Sequence, residues 1–195
     1  MKYKLKSAGI IAALIMIFGA AAFFAKKSAA QGKTYKIGDR GPAGGWIFYD
    51  KGNSDGGWRY LEAAPVDQST KAKAEWGCYK KSIPGAKDTD IGTGKSNTQA
   101  IVKSCGEAKI AAKLCTAYRG GGKSDWFLPS KDELNLMYKN LHVKGVGDFA
   151  GGIYWSSSEG DDYDAWYQLF YNGLQGTYGS KDDTSRVRAV RAFNN

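Results

Sequence analysis

The chain has 195 residues and a formal net charge of +9, and five of its lysines lie within the first 27 residues. The remaining charge of about +4 is scattered, which excludes the basic patch typical of a nucleic-acid partner. It leaves an acidic polysaccharide as an open alternative. The 165 or so residues after the N-terminal segment suffice for one domain with a substantial core.

The first 30 residues have the pattern of an export signal. Three lysines precede an apolar run over residues 7–25, and Ser28, Ala29 and Ala30 follow. This order predicts a signal peptide, residues 1–30, that is cleaved after Ala30. Because a spanning helix needs about 20 residues, an uncleaved membrane anchor is the alternative. We therefore expect a domain over residues 34–195 that is periplasmic, displayed on the cell surface or secreted, with membrane contact only through this segment.

The first part of the domain has strand and turn patterns. Apolar runs at 46–50 and 58–64 flank a turn rich in Gly, Asn and Asp, which predicts a hairpin. Residues 65–95 are mostly polar and turn-forming around Trp76, so we expect a long surface loop pinned by Cys78.

Two helices follow in the predicted order of elements. Ser96 and Gln99 have capping-box spacing, and apolar residues continue at helical intervals to about residue 118, with an interruption near Gly106. Ser130 and Glu133 form a second capping box. A short strand at 126–128 separates the helices, and strands occupy the rest of the chain. This order predicts an α+β fold with two helices.

The three cysteines all lie in the part expected to be exported, where disulfides form. If Cys105 and Cys115 share one helix, ten residues separate them by about 15 Å, which is beyond disulfide reach. We therefore predict a disulfide between Cys78 and Cys105, with Cys115 buried and free. A metal site is the alternative, but three dispersed cysteines and one histidine are a poor ligand set.

The residues that would support catalysis form weak patterns. His142 is the only histidine, and we expect it to be solvated at a helix end. The row from Ser156 to Glu159 offers hydroxyls and a carboxylate but no base, so we expect it to satisfy backbone groups. A hydrolase or oxidase that uses Cys115 or this row is the alternative to a binding domain.

The strand predicted at 165–171 has apolar residues on both faces. Trp166 and Phe170 share one face, whereas Tyr167, Leu169 and Tyr171 share the other. If the first face packs on the core, the second is a surplus apolar surface of the kind that binds ligands. A strand that is covered on both faces is the alternative. The predicted ligand-binding residues are Asp161, Asp162, Tyr163, Asp164, Tyr167, Leu169, Tyr171, Leu174, Tyr178 and Asp182.

The carboxylates in this part of the chain also raise the question of calcium. Five aspartates lie in predicted loops, and Ca²⁺ prefers six to eight oxygen ligands. The regular acidic spacing of a dedicated calcium loop is absent. We therefore predict no cofactor and keep calcium as an alternative.

Several strings resemble one family, the Lcl C-terminal domain of exported bacterial proteins. They are WFLPSKDEL at 126–134, YWSSSE at 154–159 and VRAVRAF at 187–193, with IGDRGPAGG at 37–45 and IGTGKSNT at 91–98 upstream. The resemblance implies a C-type-lectin-like fold related to the formylglycine-generating-enzyme branch, with small antiparallel sheets, two helices and long loops. It also implies surface display and adhesion, with glycosaminoglycan-like polymers among the suggested ligands. The reactive cysteine pair of the oxidases and the calcium-lectin strings have no counterpart here.

The resemblance carries one further implication, because some proteins of this fold are diversified by retroelements through adenine-directed mutagenesis. The presumed outward positions between 160 and 185 are all reachable from an asparagine codon by changes in its first two bases. Framework residues such as Gln168 and Lys181 lie between them. We therefore expect an exported, non-enzymatic adhesion domain that binds a protein or a surface glycan, with C-terminal diversification as an added possibility.

Overall fold

The computed structural model describes residues 32–69 and 73–195. The predicted leader, residues 1–30, lies outside these ranges. None of the helices described is long and apolar enough to cross a membrane. Lys33–Asn195 is one compact unit.

Within the described residues the fold is α+β, with three short α-helices and small antiparallel sheets. The strands are β1 Trp46–Asp50, β2 Tyr60–Ala63, β3 Ala74–Glu75, β4 Ile153–Glu159, β5 Asp164–Leu169, β6 Gln175–Ser180, β7 Thr184–Ser185 and β8 Val190–Phe193. The helices are α1 Gly94–Ser104, α2 Ala111–Ala117 and α3 Lys131–Asn140. The sheets have the orders β1-β2-β8, β3-β7 and β4-β5-β6. The α+β class is confirmed, but the expectation of two helices is wrong.

The predicted hairpin is confirmed as β1 and β2, and β8 adds to it as the third strand. A buried carboxylate joins the sheet to the preceding loop. Glu62 accepts hydrogen bonds from the backbone N–H groups of Ala43 and Gly45, at 3.1 and 2.7 Å. Its second oxygen accepts from Arg191, which also pairs with Asp125. The charge of Glu62 is therefore balanced inside the core, as a buried ion requires.

The helix predicted from residue 96 to 118 is two helices. Helix α1 begins at Gly94 without a side-chain cap, so the predicted capping box of Ser96 and Gln99 is wrong. A Cβ at Gly94 would lie 2.2 Å from the Glu133 carboxylate, so close packing against α3 sets this start. At Cys105 the backbone is extended and α1 ends.

The structure contains the predicted disulfide between Cys78 and Cys105, with a Cα–Cα distance of 5.6 Å. Cys105 and Cys115 do not share a helix, so the condition under which helix spacing favoured this disulfide is not met. Cys115 is a buried free thiol in α2.

Residues 65–95 are more than a surface loop. They contain β3 and a 3-10 turn, and Trp76, Ile83 and Ala86 are fully buried in the core. The Trp76 indole N–H donates to the Ser156 carbonyl oxygen at 2.8 Å. The prediction failed because these apolar residues occur singly among polar ones and have no periodicity.

Helix α3 positions the C-terminal sheet. Its predicted capping box is confirmed, with Ser130 and Glu133 bonding each other's backbone N–H groups. The buried face, with Leu134 and Met137, belongs to the same core cluster as Phe170 from the end of β5. His142 follows the helix but is half-buried against Phe170 at a ring-centroid distance of 5.2 Å, so the expectation of a solvated histidine is wrong.

The predicted strand at 126–128 is reduced to one antiparallel bridge between Phe127 and Val190. These residues are buried, and their backbone groups bond each other at 2.8 and 2.9 Å. The segment lies beside β8 at the edge of the first sheet and leads directly into α3.

Candidate functional site

The hairpin of β5 and β6 has one face that packs on α3. Gln168 is fully buried on that face, and its amide donates to Asn135 of the helix at 3.0 Å. Gln175 lies opposite it on β6 and donates to the Lys131 carbonyl oxygen at 2.8 Å. These contacts fix the hairpin on a helix, which is the rigid support that a recognition surface needs.

The opposite face of the hairpin carries aromatic side chains that pack on glycine. Trp155 of β4 pairs with Tyr167 of β5, and their rings meet edge to face at 6.4 Å. A Cβ at Gly179 would lie 2.7 Å from both rings, and one at Gly176 would lie 2.7 Å from the Tyr167 hydroxyl. Two glycines in β6 therefore provide the space in which the Tyr167 ring lies. The Trp155 indole donates to the Ala74 carbonyl oxygen at 2.9 Å, so β3 covers part of this face.

The uncovered part of this face forms an open groove of about 260 Å³. The aromatic rings of Trp155, Tyr167 and Tyr178 line one side. Ile153, Asp183 and Thr184 complete the walls. The groove is therefore lined by aromatic rings and an aliphatic side chain together with a carboxylate and hydroxyls, and such a mixture of apolar and polar groups is found in binding sites.

Three large side chains of the hairpin project into solvent. Tyr178 is 89% exposed, Tyr171 65% and Leu174 63%. The turn between the strands holds two of them in place, because Asn172 accepts a hydrogen bond from the Leu174 N–H at 3.0 Å. Gly173 completes the turn with φ at +83°, in the left-handed region that glycine adopts without strain.

The loop before β5 forms the other end of the hairpin. The Asp161 carboxylate accepts from the N–H groups of Tyr163 and Asp164 at 2.8 and 2.9 Å, which lowers the pKa of Asp161. Burial raises the pKa of Asp164, and the nearby carboxylates of Asp161 and Asp183 raise it further. Tyr163 is exposed and its ring meets that of Tyr79 at 5.6 Å.

A buried ion pair anchors this loop to the core. Lys181 and Glu159 are fully buried and 2.6 Å apart. Lys181 also donates to the carbonyl oxygens of Lys81 and Asp162, at 3.0 and 3.2 Å. Glu159 accepts from the Ile83 N–H at 2.7 Å. The pair therefore connects the strand ends with two loops that are distant in sequence.

The predicted ligand-binding residues spread along the hairpin and are not gathered in one pocket. Those that are exposed are Asp161, Asp162, Tyr163, Tyr171, Leu174, Tyr178 and Asp182. Asp164, Tyr167 and Leu169 are half-buried. Trp166 is predicted to face the core but is only half-buried. The Lys131 ammonium lies 4.9 Å from the centre of its ring.

Sequence reasoning missed several residues of the groove. Ile153, Trp155, Asp183 and Thr184 line it, although only Tyr167 and Tyr178 were among the predicted ligand-binding residues. The missed residues come from β4 and the segment after β6, which only the fold brings beside β5. The spacing of glycines in β6 is the one local signal that indicated a large ring nearby.

The aspartates of the hairpin do not form a metal-binding group of three. Within the described parts of the chain, one group of three potential ligands lies close enough for a metal, and it consists of Cys78, Cys105 and Glu107. Two of its sulfurs form the disulfide. Glu107 already accepts hydrogen bonds from the Cys78 N–H at 3.0 and 3.1 Å.

The side chains that a hydrolase or oxidase would use are buried, and the serine hydroxyls among them form hydrogen bonds with the backbone. Ser156 and Ser158 donate to the carbonyl oxygens of Trp166 and Asp88 at 2.8 and 2.7 Å. The row therefore satisfies backbone groups, as its sequence indicated. Cys115 is fully buried, and burial raises the pKa of its thiol, which disfavours the reactive thiolate.

No family model and no curated protein matches the chain. Among solved structures, a fimbrial protein from Bacteroides ovatus is similar, with a TM-score of 0.48 and 16% identity. The similarity covers 69% of this chain and 36% of that one. A likeness of this strength carries no argument about fold or function, so both depend on the geometry described above.

Proposed function

We propose that this protein is an exported, non-enzymatic recognition domain that binds a protein or a surface glycan through the outer face of the β5–β6 hairpin. The single observation that carries the proposal is the exposure of Tyr171, Leu174 and Tyr178 on a hairpin whose other face is fixed to α3. Large exposed apolar side chains beside a groove are characteristic of contact sites. The finer assignments to the Lcl C-terminal family and to the C-type-lectin-like fold are part of this proposal, on the strings quoted above.

Two further features support recognition. Tyrosine combines a large contact area with few rotatable bonds, so ordering it at an interface costs little entropy. The disulfide of Cys78 and Cys105 is consistent with an oxidising, exported environment.

We also propose that the hairpin is a site of retroelement diversification. Of the positions that the codon pattern marks as fixed, Gln168, Phe170 and Lys181 are fully buried, and Trp166 and Gln175 are half-buried. Positions that it marks as open include the exposed Tyr171 and Tyr178. Sequencing the DNA around the gene tests this proposal. A nearby near-copy of the codons for 155–193 that differs only at adenines supports it, and its absence contradicts it.

The binding proposal is tested by presenting the purified protein to a glycan array and to a phage-displayed peptide library. Replacing Tyr171, Leu174 and Tyr178 together with Ser removes exposed apolar area and leaves the core contacts unchanged. We expect the triple Ser variant to lose binding to the glycans or peptides that the wild type binds. Its midpoint of urea unfolding should equal that of the wild type within experimental error. The control is Val143→Ser, which removes an exposed apolar residue outside the hairpin. Probe binding that survives the triple replacement contradicts the proposal.

A further inference from the structure

The charge of the hairpin is opposite to that of the chain. Residues 160–185 contain five aspartates and one lysine, with no arginine or glutamate, although the formal net charge of the whole chain is +9. The aspartates are Asp161, Asp162, Asp164, Asp182 and Asp183. A patch of one sign on a molecule of the other sign is a feature of the surface that selects partners by charge.

The single lysine of this segment offsets only part of the negative surface. Lys181 is fully buried and its ammonium is paired with Glu159. After the backbone hydrogen bonds that Asp161 accepts, the charges of Lys181 and Lys87 also lower the pKa of that carboxylate. Four of the five aspartates are exposed. Lys73 and Lys109 lie beyond Thr184 in a neighbouring depression, where Glu75 accompanies them.

The carboxylates lie at the end of the hairpin that adjoins the groove. Asp183 is part of the groove wall. Asp164 is close enough to Asp161 and Asp183 for their negative charges to raise its pKa further, after the larger effect of burial. The loop before β5 and the segment after β6 therefore present their carboxylates together at one end of the hairpin.

The apolar part of the surface includes aliphatic side chains as well as rings. Leu174 is exposed next to Tyr171, and Ile153 is partly exposed where it pairs with Leu169 across the strands. Branched aliphatic side chains fit the apolar side chains of a protein partner. An anchor side chain buried in a pocket is also the usual centre of a protein–protein interface.

From this combination, we infer that the partner is a protein surface on which lysine or arginine residues surround an apolar side chain that enters the groove. This inference rests on the proposed function and selects one of its two ligand classes. It disfavours an acidic polysaccharide, whose charges would meet the carboxylates of the hairpin. Repulsion of like charges is an effective means of excluding a wrong partner.

The test is a panning experiment with the purified protein immobilised and a phage-displayed library of random peptides as the probe. We expect enriched peptides to combine Leu, Phe or Trp with flanking Lys or Arg. Their affinity should fall about two- to fivefold in Asp183→Asn and in Asp162→Asn, the range for one exposed charge pair. Asp55→Asn, an exposed aspartate of the first hairpin, is the matched control and should change nothing.

Three further measurements separate the outcomes. Raising the salt from 0.05 to 0.5 M should weaken the enriched peptides, because screening shortens the reach of exposed charges. Scrambled peptides of equal charge should bind more weakly, and equal binding by them overturns the inference. Heparin binding that is lost in the triple Ser variant also overturns it, but leaves the proposed function intact. If neither peptides nor glycans depend on the triple replacement, both proposals fail.

Discussion

Two tyrosines on the same face of the hairpin have different roles at the scale of the residue. Tyr167 is half-buried, contacts Trp155 and lies over two glycines of β6. Tyr178 is 89% exposed. Alternation along the strand predicts that Tyr167 lies on the outer face, and the turn that follows predicts that Tyr178 extends this surface. Neither pattern shows how much of each ring the neighbouring strands cover.

This difference predicts different effects on stability. We expect Tyr167→Ala to lower the free energy of unfolding by about 1–3 kcal/mol, because a partly packed ring leaves a cavity. Tyr178→Ala should stay within about 0.5 kcal/mol of the wild type, as is usual for exposed positions. Urea unfolding, monitored by Trp fluorescence, measures the free energy of unfolding of both variants. If Tyr167→Ala lowers the free energy of unfolding no more than Tyr178→Ala does, the Tyr167 ring does not support the sheet.

A second residue-scale prediction concerns the capping carboxylate of α3. Glu133 is fully buried, and burial raises its pKa to about 7, although it accepts backbone hydrogen bonds from Ser130 and Gly92. The folded state therefore binds a proton more tightly than the unfolded chain does. The stability linked to this group is complete below pH ~4.5 and is lost as the pH rises through about 7.

The expected loss is of the order of 3 kcal/mol between pH 4.5 and 8. Urea unfolding at several pH values measures it, and Glu133→Gln, which cannot titrate, should flatten the profile over this range. Asp50 and Asp125, whose pKa values are lowered, act in the opposite direction but at lower pH, below their unfolded values. A profile that is unchanged in Glu133→Gln would show that this carboxyl is ionised throughout.

At the scale of the element, local rules predicted what local contacts determine. The first hairpin and the capping box of α3 follow from residues within a few positions of one another, and both are confirmed. The start of α1 at Gly94 is determined by Glu133, which lies 39 positions later, and was therefore predicted wrongly. The groove has the same origin, because its walls come from β4, β5, β6 and the segment after them.

The buried ion pair predicts the behaviour of the binding hairpin as an element. We expect Lys181→Met to cost about 3–5 kcal/mol, because it leaves the Glu159 carboxylate buried without its charge partner. The loop around Asp162 should also loosen, since Lys181 donates to its carbonyl oxygen. Urea unfolding measures the first effect, and hydrogen exchange of the amides at 161–164 measures the second.

The matched control is the half-buried pair of Lys131 and Asp132, whose side chains remain partly accessible to water. Lys131→Met should cost no more than about 1 kcal/mol, as pairs accessible to water do. If both replacements cost the same, the buried pair is not the anchor of the hairpin.

At the scale of the whole molecule, the arginines near the C-terminus tie distant parts of the chain together. Arg186 and Arg188 both pair with Asp67, and Arg191 pairs with Glu62 and Asp125. Each arginine and its partner lie more than 60 positions apart, so no local spacing rule identifies these pairs from the sequence. Long-range contacts of the same kind explain why residues 65–95 do not form the surface loop that the sequence predicts.

The disulfide connects two of these distant parts and gives a whole-molecule prediction. It joins the segment after Trp76 to the end of α1, with a sequence separation of 27. Closing a loop of that length stabilises the folded state by about 3.5 kcal/mol in the chain-entropy model. We expect the double replacement of Cys78 and Cys105 with Ala to lower the free energy of unfolding by about 2–4 kcal/mol.

Unfolding in urea with and without reductant measures the same quantity on the unaltered chain. Cys115→Ala is the control, because its buried thiol takes no part in the bridge, and the reductant should lower the stability of this variant as much as that of the wild type. The groove should keep its shape in the double Ala variant, since α3 and the ion pair of Lys181 and Glu159 also fix the hairpin. If the double Ala variant loses more probe binding than its unfolded fraction accounts for, the disulfide is part of the recognition surface.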